Sequence, residues 1–204
     1  MIGSVERYTA DQIQGLTFEE HVRARPAMYF RVGRASPELP TEVLQQVIWD
    51  ALHHRDGTHG QISVEIGSDL DFTVEDDQRR ISDEHGRPVP GFFDSLIDKE
   101  RWAPAAAAAL SVRTVVEVWL DGRGYRQEMD GTTAIGTWEE FATSKACGTR
   151  TTFHLDPSYC GPDEAIAWSL LPEELHGQEC EARPSPVTFP IRDLRAGAEN
   201  SASE

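Results

Sequence analysis

Apolar and polar positions alternate with two different periods along this chain, and each change of period marks an element. Across residues 41–54, Val43, Leu44, Val47, Ile48, Ala51 and Leu52 recur three or four positions apart. That spacing predicts an amphipathic helix, stopping near Gly57. Residues 62–66 and 70–74 alternate strictly instead, and Gly67-Ser68-Asp69 between them predicts a hairpin. Upstream, Thr17-Phe18-Glu19-Glu20 has the form of a capping box, with Thr17 as N-cap and Glu20 reaching back. The helix it opens should end before Pro26, because the residue preceding a proline avoids the α region. Pro37 and Pro40 predict a loop.

Further along, residues 92–102 read as one helix, and Pro104 opens another through five alanines to Leu110. Residues 112–120 predict a strand, turned by Asp121-Gly122 and returned antiparallel by residues 125–129. Residues 149–155 form a further strand and 163–171 a helix. The last strand candidate, 187–191, holds Pro190 and so belongs at a sheet edge. The expected organisation is an N-terminal arm over 1–15, a single domain over 16–197 and a disordered tail over 198–204. Helices interleaved with hairpin-linked strands predict an α+β fold, a two-layer sandwich whose mostly antiparallel mixed sheet carries helices on one face.

Composition narrows the function classes. With 204 residues, 39% hydrophobic and 26% charged, the chain suits one soluble domain. No apolar run approaches the roughly 18 residues that cross a bilayer. The first residues lack a secretory h-region, which predicts a cytoplasmic protein with no membrane partner. A formal net charge of −16 repels phosphate backbones, so no direct nucleic-acid contact is expected, although Arg23, Arg25, Arg31 and Arg34 gather early. Cys147, Cys160 and Cys180 are odd in number and irregular in spacing, which argues against a disulfide framework.

The most informative stretch is Glu75-Asp76-Asp77-Gln78-Arg79-Arg80-Ile81, which has the frame of a nucleotide-binding turn with bulky residues where glycines belong. With Val22-Arg23-Ala24-Arg25-Pro26-Ala27-Met28-Tyr29, the tyrosine arm from Tyr8, and Cys147-Gly148-Thr149-Arg150, it resembles the ATP-binding domain of the gyrase B / type II topoisomerase branch of the GHKL (Bergerat-fold) family. The resemblance implies ATP or another adenine nucleotide as ligand, with magnesium. It implies that Asp76 receives the adenine amino group, that Thr149 supports Asp76, that Arg79 lies over the base and that Ile81 lines the pocket. Asp50 falls at the family's magnesium-binding asparagine, and Gln46 (Gln45 with a one-residue shift) at its general-base glutamate. The implied partner is a second copy held through the arm, or a topoisomerase-like subunit.

The departures matter as much. An amide cannot take a proton from water, and losing a general base costs roughly 10²–10⁴-fold in rate. Gln78 and Arg80 replace the turn's glycines, and residues 103–109 stand where the resemblance places a glycine-rich lid. No stretch answers to the transducer domain with its phosphate-sensing lysine. The leading expectation is a degenerate, non-hydrolysing module, a pseudo-ATPase that acts by binding. Two alternatives stay open. One is a slow ATPase completed by a partner, with Arg80 and Arg126 gripping phosphates. The other is a repurposed metal or acid-base pocket near Asp50, His53, His54 and His59, with Asp83, Glu84 and His85 close by.

Overall fold

A computed structural model describes residues 15–53, 60–161, 163–168, 170 and 189–195. Most of the arm, the tail, His54 and His59 lie outside the described residues.

Helix α1 (Phe18–Ala24) begins as its sequence dictates. Thr17 Oγ1 accepts the Glu20 amide at 3.2 Å, and Glu20 accepts the Thr17 amide at 2.8 Å. Pro26 then ends it, and α2 (Ala27–Phe30) follows as a single turn. Helix α3 (Leu39–Leu52) starts two residues before the expected 41, taking in Pro40. Proline is tolerated in a first turn because its missing N–H would have no intrahelical partner there.

The strands β1 (Ile62–Ile66), β2 (Asp71–Asp76), β3 (Ser111–Leu120), β4 (Arg123–Asp130), β5 (Thr133–Ala142), β6 (Cys147–Leu155) and β7 (Ile191–Asp193) form one sheet in the order β5-β4-β3-β6-β2-β1-β7. Every neighbouring pair is antiparallel except β1 with β7. The expected α+β sandwich is therefore present. Inward residues such as Val64, Phe72, Val74, Val116, Val118 and Phe153 are buried under α3 and α4 (Trp102–Ala109). Alternate positions on the opposite face carry Glu65, Thr73, Glu75, Glu117, Arg150 and Thr152. Leu39, Val43, Leu44, Val47, Ile48, Ala51 and Leu52 supply the helical side of the core. Ala105 through Ala109 are also fully buried, so the alanine run is a packing surface.

Four expectations need correcting. Residues 92–102 do not form one helix: a 3₁₀ turn spans Phe92–Asp94, and Phe93 and Asp94 take positive φ of 58° and 53°, which an α-helix cannot absorb. Residues 163–168 are turn and coil, and the helix in this region is instead α5 (Pro157–Cys160), capped by Asp156. Strand β5 was not anticipated. Of the strand expected over 187–191, residues 187 and 188 lie outside the described residues, and β7 runs from Ile191 to Asp193, starting after Pro190. It does sit at the sheet edge, as a proline-bearing segment should.

Arg23 of the early motif has a structural task. Its guanidinium donates to the Ala109 carbonyl at 2.9 Å and to Asp156 at 3.0 Å, and lies 5.1 Å from the Tyr159 ring centre. It thereby ties α1 to the end of α4 and to α5.

Candidate functional site

The end of β2 meets the start of β6 in register, with Asp76 opposite Thr149. Pairing places the two side chains on one face, and Thr149 Oγ1 donates to Asp76 Oδ2 at 2.8 Å. Gly148 makes this approach possible. Its φ is +128°, and a Cβ there would lie 2.4 Å from the Asp76 carbonyl oxygen. Asp50, near the end of α3, faces the same corner.

The corner is filled by the chain itself. Arg101 Nε donates to Asp50 Oδ2 at 2.5 Å, and Nη1 donates to Asp76 Oδ2 at 2.6 Å and to Thr149 Oγ1 at 3.2 Å. The three ionic side chains are 12%, 13% and 2% exposed, in the order Arg101, Asp50, Asp76. In such surroundings charge-assisted hydrogen bonds are strong and an unpaired charge is costly. Burial raises the Asp50 carboxyl above its ordinary range, opposed by the Arg101 charge. Burial also works against the Arg101 cation, but Asp76 and Asp50 overcome it and hold the guanidinium firmly protonated.

The segment that delivers Arg101 is anchored at several points. The Gly91 amide donates to the Ser95 carbonyl, and the Leu96 amide donates to Gln127 Oε1 at 2.9 Å. Leu96 and Ile97 are buried. Arg80 Nη1 pairs with Asp98 at 3.3 Å, and the Arg101 amide donates to the Asp98 carbonyl at 3.0 Å. On the other side, Gln78 Nε2 donates to the carbonyls of Asp50 and Ala51, satisfying two otherwise orphaned groups at the end of α3. Both residues in the glycine positions thus brace the corner.

Of the residues singled out from sequence, Asp50, Asp76 and Thr149 come together. Gln46 is buried one helical turn before Asp50. Arg79 points away and pairs with Asp121 at 2.9 Å on the exposed β3–β4 turn, while Ile81 is exposed. Arg126 is paired with Glu117 on the sheet's open face. His53 Nδ1 lies 2.7 Å from the Trp49 carbonyl, and Asp83 accepts the amides of His85 and Arg87 within its own loop. Among the described residues no cluster of three or more His, Cys, Asp or Glu could hold a metal ion. Arg101 was missed by the sequence reading. Its signal was indirect: two carboxylates beside a turn without its glycines, Asp76 buried and Asp50 half-buried, call for a nearby cation.

A nucleotide with magnesium does not fit this arrangement. The two carboxylates that would receive adenine and metal are both engaged by Arg101, and the α4 turn where a lid would begin is packed alanine and proline.

The sequence is similar to the type 2 topoisomerase B protein of Aquifex aeolicus (strain VF5), 30% identical over 213 residues, covering 94% of this chain and 26% of the relative. It is also similar to the DNA gyrase B protein of Streptococcus pyogenes serotype M1, 28% identical over 218 residues, covering 96% and 32%. The fold is similar to the 43K ATPase domain of Thermus thermophilus gyrase B, solved in complex with an aminocoumarin. That match has a TM-score of 0.57 and 27% identity, and covers 73% of this chain and 42% of that one. No family model matches the sequence. The chain spans 26–32% of the length of these curated relatives. By sequence and fold together, it is a GHKL-type domain, similar to the ATPase domain of gyrase B. No helix among the described residues is long and apolar enough to cross a membrane.

Proposed function

We propose that this gyrase-B-like domain does not hydrolyse ATP by itself and serves as an interaction module. The observation that carries the reading is the engagement of both Asp50 and Asp76 by Arg101. Glutamine at position 46 supports it, since no carboxylate stands there to accept a proton from water. With glutamine at position 46, the Asp50 carboxylate taken up by Arg101 and packed alanines in place of a lid of backbone amides, the positioning and charge stabilisation that phosphoryl transfer demands are not supplied by these residues.

Its partner, on this reading, is a second copy engaged through the N-terminal arm, or a topoisomerase-like subunit. Direct nucleic-acid binding is not part of the proposal. On the open sheet face, Arg113, Arg126 and Arg150 are matched by Glu128, Glu117 and Glu65, leaving no basic stripe for a phosphate backbone. Any adenine nucleotide or magnesium taken up would have to displace Arg101.

Phosphate release from magnesium-ATP by the purified chain, alone and with a gyrase-B-type protein added, tests the first half. No turnover above background is expected from the chain alone, and magnesium-dependent turnover would overturn the reading. Light scattering on the chain with and without residues 1–15, and co-purification with topoisomerase subunits from the native cell, test the second half.

A further inference from the structure

We propose that Asp50, Asp76 and Thr149 form a guanidinium site whose ligand is Arg101 of the same chain, standing where an adenine base would otherwise sit and shutting the corner against nucleotides. The proposal deepens the non-hydrolysing reading of this site and rests on it.

The chemistry of the site fits a guanidinium better than a purine. Two carboxylates and one hydroxyl present acceptor oxygens at 2.5, 2.6 and 3.2 Å from Arg101 nitrogens. A guanidinium is planar, permanently charged and offers donors in a fixed fork, so it can serve Asp50 through Nε and Asp76 through Nη1 at once. An adenine amino group is a neutral donor. Placed against Asp76, it would leave the Asp50 carboxylate, 13% exposed, facing a largely desolvated space with no cation. A purine therefore competes, with one bond from a neutral donor, against two bonds in which donor and acceptor are both charged.

The ligand is also tethered. Arg101 opens α4, whose alanines pack against α3, the helix that carries Asp50. Its backbone is held at Asp98, which Arg80 fixes in turn, while Gln78 clamps the α3 carbonyls on the opposite side. A tethered group binds at an effective concentration that a free ligand at cellular levels has to overcome. The residues that displaced the turn's glycines are thus the ones that seat the internal ligand.

The test uses the full chain, wild type and Arg101→Ala, in thermal melts and calorimetric titrations with adenosine and with N-ethylguanidine. The wild type should respond to neither ligand. Arg101→Ala should melt about 10 °C lower, since it strands two buried carboxylates. It should regain part of that shift with millimolar N-ethylguanidine and should bind adenosine measurably. Wild-type protein that binds adenosine as tightly as the variant would overturn the proposal, as would a variant that melts like wild type and ignores N-ethylguanidine. If Arg101→Ala does not fold, the wild type decides through its arginine Nε–H resonances, with Arg101→Lys identifying the one that belongs to Arg101. That resonance should exchange slowly and stay unmoved by adenosine. Fast exchange, or a shift on adding adenosine, overturns the proposal. Adenosine binding to the wild type without ATP turnover defeats only the internal-ligand proposal, whereas ATP turnover defeats the non-hydrolysing reading itself.

Discussion

The two faces of the sheet use the same side-chain chemistry to opposite effect. On the covered side, Arg101, Asp50 and Asp76 meet almost out of reach of water. On the open side, Arg126 with Glu117 and Arg150 with Glu65 meet in solvent, with the arginines 46% and 40% exposed. A buried cluster becomes strongly destabilising once one member is removed, because the remaining charge is left unpaired. An exposed pair loses little, since water and salt already screen it. Charge on the covered side therefore fixes structure, and charge on the open side mainly keeps the surface wet.

Single substitutions on the two faces should differ widely in cost. The largest effect is expected for Asp76→Ala, which leaves Arg101 and Thr149 without their shared acceptor. Denaturant melts should show a loss of roughly 3–5 kcal/mol, and a loss below that of an exposed pair would erase the contrast. Next comes Gly148→Ala, whose new Cβ meets the Asp76 carbonyl at a positive φ. It should cost about 1–3 kcal/mol by the same measurement.

Asp50→Asn should give a smaller change that depends on pH. Burial raises the folded-state pKa of Asp50, so ionising it disfavours the folded state. The stability of wild type relative to Asp50→Asn should therefore fall as pH rises through the folded-state pKa. Melts across the acid range read this directly, and a difference that grows with pH contradicts it. The smallest effect belongs to Arg126→Ala, at about 0–1 kcal/mol. It should vanish at high salt, whereas the loss from Asp76→Ala should persist.

Local chemistry made much of the fold legible. The Thr17–Glu20 box, the Gly67-Ser68-Asp69 hairpin and the amphipathic period of α3 each depend on neighbours a few residues away. Asp76 and Thr149 were also readable, because each sits in a short motif. Arg101 was not. Its partners lie 51 and 25 residues away, and it ends a stretch whose composition suits a helix until Phe93 and Asp94 turn left-handed. Strand β5 escaped for a different reason. Every position on it is exposed or half-buried, so the two-residue alternation that marks a strand is faint.

That faint strand has a consequence for how copies of the molecule meet. At one margin of the sheet, β5 presents a ten-residue border whose outer backbone groups could recruit a neighbour, and Ile135 is 55% exposed on it. The border is not straight, however. Arg126 is opposite Glu139 and Glu128 opposite Ile135, so Gln127 alone faces three residues, among them Gly136 with φ +69°. Such a kink, followed by the adjacent acids Glu139 and Glu140, twists the margin and charges it. Stacking of molecules into ribbons along this side is thereby discouraged.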